Sequence, residues 1–74
     1  MEYQIIRIFF KGEVKNNSVE YKTDFIEASQ RFYNIIAADL GNSEVTYQAT
    51  YLKDKFGHDV IAPVVYDRTA VTHE

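Results

Sequence analysis

Hydrophobic and polar positions divide this chain into stretches of two different periods. In DFIEASQRFYNIIAADL, Asp24 to Leu40, residues recur at spacings of three and four: Phe25, Ser29, Phe32, Ile36 and Leu40 form one stripe, and Ile26, Tyr33 and Ala37 widen its flank. That spacing predicts an amphipathic helix with Glu27, Gln30, Arg31 and Asn34 turned to water. Asp24 reads as the N-cap with Glu27 three places on, a capping-box pattern. Gly41-Asn42 supplies a left-handed stop.

On either side of the helix the period falls to two. Tyr3 to Phe10 reads as a strand with Gln4, Ile6, Ile8 and Phe10 on one face and Tyr3, Ile5, Arg7 and Phe9 on the other. Both faces are largely apolar, unlike the clean alternation of a half-solvated strand. A charge is costly in a core, so the expectation is that Ile6, Ile8 and Phe10 pack against the helix. Asn16-Asn17-Ser18 is the stronger turn signal, and Lys11-Gly12 either continues the strand or begins the turn. Val19 to Lys22 then forms a short strand with Val19 and Tyr21 inward.

Glu44 to Lys53 alternates regularly, with Val45, Tyr47, Ala49 and Tyr51 expected inward and Thr46, Gln48, Thr50 and Leu52 outward. Asp54 to Asp59 is a turn with Gly57 left-handed. Val60 to Tyr66 is a last strand that Pro63 confines to a sheet edge or a bulge. The order β-β-α-β-β predicts an α+β fold, a four-stranded antiparallel sheet with one helix on one face. Strand order 2-1-3-4 makes every neighbour antiparallel and leaves the proline strand on an edge. Residues 1–67 are expected to form a single domain, and residues 68–74, which carry no periodicity, a flexible C-terminal tail.

Composition changes this picture in one respect. A chain of 74 residues buries only about 60–65% of the surface its unfolded form exposes, so small domains commonly need disulfides, a metal or oligomerisation. There is no cysteine, and the two histidines stand apart from any cluster of carboxylates, so no metal and no cofactor is expected. Oligomerisation is the route left. The formal charge of −3, from eight Lys/Arg and eleven Asp/Glu without runs, lacks the basic stripe that nucleic acid or an anionic membrane wants. No apolar run approaches the roughly 20 residues of a membrane span, and the acidic, alternating start is no signal peptide. A cysteine-free chain fits the cytoplasm.

Catalytic chemistry finds little support. His58-Asp59, in the turn, is an adjacent acid–base pair, and no nucleophile accompanies it. Asp54, Asp59 and Asp67 do not match a calcium loop. Ser29, on the apolar stripe, is expected to bond back to the backbone one turn earlier. Asn16-Asn17-Ser18 matches a glycosylation sequon, which carries no meaning in a cytosolic chain. No enzyme is expected.

The sheet face away from the helix is the remaining feature. With Ile6, Ile8 and Phe10 assigned to the core, that face presents Tyr3, Ile5, Arg7, Phe9, Thr50 and Leu52, and these are the expected partner-binding residues. Exposed apolar patches of this kind mark interaction sites. The expected partner is a second copy, giving a homodimer, or another protein. The alternative is a single-stranded nucleic acid stacked on the same face, for which only Arg7, Lys53 and Lys22 supply charge.

Residues 31 to 57, RFYNIIAADLGNSEVTYQATYLKDKFG, resemble the central segment of a loose group of small uncharacterised accessory proteins of bacterial prophages and mobile elements. There a short hairpin leads to an alanine-rich helix and then a V-T-Y-x-A strand. The likeness rests on Phe32, Tyr33, Ile36, Ala37, Ala38 and Tyr47, which are structural residues, and it transfers no catalytic or ligand-binding position. It implies a phage-like accessory protein that acts by binding.

Overall fold

A computed structural model describes residues 2–67 and runs β1 (Tyr3–Lys11), β2 (Val14–Lys22), α1 (Phe25–Leu40), β3 (Val45–Asp54) and β4 (Asp59–Asp67). The sheet has the order β2-β1-β3-β4 with every neighbouring pair antiparallel, and α1 lies across it. The fold is the α+β architecture expected from the pattern. Residues 68–74, read above as a tail, lie outside the described residues.

The first reversal comes at Gly12, not at the asparagines. Gly12 has φ +64 and forms a two-residue turn with Glu13, so Lys11 pairs directly with Val14. Left-handed backbone is what glycine provides in a tight hairpin. Asn16, Asn17 and Ser18 sit inside β2, opposite Phe9, Ile8 and Arg7. Their turn preference yields to nine residues of ladder pairing with β1. Gly57, at φ +85, makes the second left-handed turn where the pattern placed it.

At its start α1 follows the sequence closely. Asp24 is the N-cap, and its carboxylate accepts from the Glu27 N–H at 3.0 Å. The other end departs from expectation. Gly41 has φ −84 and is not left-handed; its N–H donates to Ala37 O at 3.0 Å, and the chain then leaves through Asn42, whose side chain accepts from the Glu44 N–H.

The largest correction concerns which side of the sheet α1 covers. The core joins Ile5 of β1 and Leu52 of β3 to Ala28, Phe32, Ile35 and Ile36 of the helix, with Tyr3, Val60, Ile61 and Val64 packed around it. Ile6, Ile8 and Phe10 therefore face away from α1, as do Val19, Tyr21, Tyr47 and Tyr51 by register. The physical reason is Arg7. Its charge was the ground for excluding that face, and Asp39, in the last turn of α1, accepts a bidentate pair from it. The helical stripe is rotated to match: Ala28, Phe32, Ile35, Ile36 and Asp39 are buried, while Phe25, Ile26, Tyr33 and Leu40 stay exposed.

Strand β4 bends to serve this core. Thr50 pairs with Val64 but Leu52 with Ile61, and a second shift follows at Lys53 and Asp59. Bulges on an edge strand let both Val60 and Ile61 reach the core, and Pro63 sits at the first of them where no ladder N–H is required.

Candidate interaction surface

Directly opposed residues in an antiparallel sheet share a face, so the register lays out the side away from α1 as rows across the four strands. The end row reads Lys15, Phe10, Tyr47, Asp67 from β2 to β4. Next come Asn17, Ile8, Ala49 and Val65. The third row is Val19, Ile6 and Tyr51, followed by the Ala62-Pro63 bulge, and the last is Tyr21, Gln4, Lys53 and Asp59. Its middle is apolar and aromatic, and its polar residues gather at the ends.

No described residue lies over this face. Val19 is 49%, Tyr21 59% and Val65 54% exposed, and Ile6, Ile8, Phe10, Tyr47 and Tyr51 are half-buried only by their neighbours in the sheet. Phe10 and Tyr47 meet edge to face with centroids 5.7 Å apart, and the Lys53 ammonium lies 5.6 Å from the Tyr51 ring. Ala49 is the floor of the patch, buried between its larger row neighbours Ile8 and Val65. Lys53 is paired with Asp59 at 2.8 Å, which neutralises one corner. Lys15 and Asp67 put opposite charges at the two corners of the other end.

The residues expected on the open face are brought together, but under the helix. Ile5 is 1% exposed and Thr50 and Leu52 are fully buried. Tyr3 packs its ring 5.8 Å from Phe25 of α1. Arg7 is held by Asp39, and its guanidinium lies 3.9 Å over the Phe9 ring. None of Ile5, Thr50 or Leu52 is open to a partner, and Tyr3, Arg7 and Phe9 are engaged on the helix side. The surface residues missed are Ile6, Ile8, Phe10, Tyr47 and Tyr51. Their signal was present as the pairing of two stray opposite charges, Arg7 on an otherwise apolar strand face and Asp39 beside the helical stripe.

The other chemistry-bearing residues do not converge. His58 is exposed and turns its Nδ1 toward Asp54, 3.9 Å away, whereas its sequence neighbour Asp59 binds Lys53. Asp54 organises the turn: its carboxylate accepts from the N–H groups of Phe56 at 2.9 Å and His58 at 3.0 Å. Those backbone donors, His58 first, hold the Asp54 carboxyl below its ordinary value. The Arg31 guanidinium does the same for Glu20 through a bidentate pair joining α1 to β2. Ser29 Oγ is buried without a hydrogen-bond partner, so the expected bond to the preceding turn is not made. Among the described residues there is no cavity and no cluster of His, Asp or Glu able to hold a metal ion. No described helix is long and apolar enough to cross a membrane.

Compared with protein families, with curated proteins and with solved structures, the chain matches none.

Proposed function

We propose that this chain is a non-catalytic protein-interaction module that self-associates through the open face of its sheet, in the cytoplasm. The observation that carries the reading is the continuous apolar and aromatic surface over all four strands, with Ile6, Ile8, Phe10, Tyr47 and Tyr51 at its centre and no described residue above it. Four strands about 4.8 Å apart and four side-chain rows about 6.8 Å apart span on the order of 500 Å² per copy. Two copies face to face would bury about 1,000 Å², which reaches the lower bound for a specific interface. A single cysteine-free domain of 74 residues has much to gain from covering such a face, and a two-fold dimer does so with one surface used twice. The resemblance of residues 31–57 to accessory proteins of prophages and mobile elements agrees with a role exercised by binding.

A second reading is favoured by the four rings of Phe10, Tyr21, Tyr47 and Tyr51 on one sheet face, which could stack the bases of a single-stranded nucleic acid. Charge weighs against it: the cations on that face are Lys15 and Lys53, the latter already bound to Asp59, on a chain of net charge −3.

Sedimentation across a concentration series, with and without Ile8→Glu, tests the proposal. The wild type is expected to dimerise at high micromolar concentration, and Ile8→Glu to give a folded monomer by circular dichroism. A monomeric wild type that retards a labelled oligonucleotide at low salt would favour the second reading.

A further inference from the structure

We infer that the outer edge of β2 is a second self-contact, at which β2 of one copy adds antiparallel to β2 of another and continues the sheet. This contact goes beyond the open face and does not use it.

The two edges of the sheet are built differently. β4 pairs with β3 through two register shifts and carries Pro63, which has no N–H to offer a further strand. Bulges and proline are devices that keep an edge strand from adding a neighbour. β2 has neither. It pairs with β1 over Val14–Lys22 without a shift, and no described residue lies beyond it in the sheet. Its middle, Asn16 to Val19, is uncharged, with Lys15, Glu20 and Lys22 to either side. The turn-prone asparagines thus leave the centre of this edge without the charge that commonly guards one.

The hairpin fixes which backbone groups are free. Lys11 and Val14 close a two-residue turn, and such a closing pair exchanges both of its hydrogen bonds. Alternation along the ladder then turns the N–H and C=O of Val14, Asn16, Ser18, Glu20 and Lys22 toward β1. Those of Lys15, Asn17, Val19 and Tyr21 point outward. Such a row of donors and acceptors is matched by another extended strand, and a second β2 matches it completely. With a two-fold axis through Ser18 and normal to the sheet, Lys15 pairs with the partner's Tyr21 and Asn17 with the partner's Val19, giving about eight hydrogen bonds. Moving the axis to Asn17 or Val19 leaves Tyr21 or Lys15 unpaired. The same register sets Asn16 against Glu20 and Val14 against Lys22, so no like charges are opposed. Both helices then lie on one side of the joined sheet and both open faces on the other, free for face-to-face association. A contact one strand deep falls short of the roughly 1,000 Å² of a specific interface, so the edge joins copies weakly.

Covalent trapping tests this in the full chain, which contains no cysteine. Ser18 faces its own copy across the axis as a non-hydrogen-bonded pair, with Cα atoms about 4.5 Å apart and within disulfide range. Val14 is exposed like Ser18, but its two copies stand roughly 27 Å apart in this register. Under mild oxidant, Ser18→Cys is therefore expected to form a disulfide dimer about tenfold faster than Val14→Cys. That preference is expected to persist when Ile8→Glu is added, although the added change leaves a monomer by sedimentation. Asn17→Pro removes an outward N–H that β1 does not use, so circular dichroism should show it folded while trapping of Ser18→Cys falls about tenfold. If Ser18→Cys is trapped no faster than Val14→Cys, copies do not meet at this edge and the inference is overturned, whatever the open face does. If the preference disappears with Ile8→Glu, the edges meet only through the open-face contact, and the inference of a separate contact is again overturned. Preferential trapping in a wild type that sediments as a monomer would leave the edge contact standing and remove the open-face reading.

Discussion

Arg7 holds Asp39 in a fork. Its Nε donates to Asp39 Oδ2 at 3.1 Å and its Nη2 to Asp39 Oδ1, joining the middle of β1 to the last turn of α1. Each residue alone is misplaced. Asp39 is an acid at a helix C-terminus, where the dipole disfavours negative charge and where no basic residue of the last turn offsets it. Arg7 is a cation on the strand face that the helix covers. Guanidinium geometry matches a carboxylate with two parallel bonds, so the two misfits resolve each other and fix how far along the sheet the helix sits.

Removing one member of this pair is expected to cost more than removing both. The Asp39 side chain is 2% exposed and that of Arg7 26%. Breaking a fully buried pair costs about 3–5 kcal/mol, and the partial exposure of Arg7 lowers the figure for Asp39→Ala to about 2–4 kcal/mol. Replacing the pair by Arg7→Met with Asp39→Leu is expected to recover most of that loss. Urea unfolding of the single and double variants measures the difference; a double loss equal to the sum of the single losses would mean that the pair contributes no coupling.

This pair also explains how much of the fold was legible. The helix, its Asp24 cap, the Gly57 turn and the order β2-β1-β3-β4 follow from local periods and from the constraint Pro63 places on its strand. The covered side does not, because both faces of β1 are apolar and the choice between Ile5 and Ile6 rested on the expense of burying Arg7. That expense depends on a partner 32 positions away in the chain, which no local pattern displays. An open, apolar sheet face was therefore foreseeable as a feature, but the wrong residues were assigned to it. The asparagines failed for a related reason: turn preference is weak beside a complete ladder with β1.

The two isoleucines at the centre of that choice give opposite expectations. Stabilities of roughly 0.05–0.15 kcal/mol per residue leave a chain of this size with only about 4–11 kcal/mol to lose. Ile5→Glu puts a carboxylate beside Leu52 and under the helix that carries Phe32, without a partner, at a cost of several kcal/mol, and is expected to unfold the chain. Ile8→Glu puts it on the open face and leaves the fold intact. Circular dichroism of both variants decides; a folded Ile5→Glu would mean that the helix does not cover this side.

The helix cap offers a finer measurement. Asp24 Oδ2 accepts from the Glu27 N–H, and Asp24→Ala is expected to cost about 0.5–2 kcal/mol in thermal or urea melts. Thr23→Ala, one position outside the helix, is expected to cost much less. The reverse ranking would move the cap.

Acid should weaken the fold within a defined range. Asp54 and Glu20 both have carboxyls lowered in the folded state, the first chiefly by the His58 N–H and the second chiefly by Arg31. A lowered folded value means that the contribution is fully present above the unfolded carboxylate value and disappears as pH falls through the folded one. Urea midpoints are thus expected to stay level down to pH about 5 and to decline below about 4. Glu20→Gln combined with Asp54→Asn should flatten part of that decline; an unchanged acid limb would assign it to other carboxylates.

Inside the sheet, a short polar chain ties β3 to the irregular part of β4. Thr50 Oγ1 donates to Gln48 Oε1 at 2.5 Å, and Gln48 Nε2 donates to Val64 O at 3.2 Å, next to the Pro63 bulge. Gln48 and Thr50 are both fully buried, so each bond replaces water that cannot reach them. Gln48→Leu would strand the Thr50 hydroxyl and the Val64 carbonyl together, and an unsatisfied buried group costs about 1–3 kcal/mol. Thr50→Val strands only part of the capacity of the Gln48 carbonyl and should cost less. With both changed, the Val64 carbonyl alone is left, so the double variant is expected to cost less than the sum of the singles by about 0.5–2 kcal/mol. A double-mutant cycle in urea supplies that number, and hydrogen exchange supplies its location: in Gln48→Leu, amides of β4 around Val64 and Val65 should lose protection before those of β1. Strict additivity, or uniform loss of protection over the sheet, would mean that the polar chain does not anchor the β4 edge.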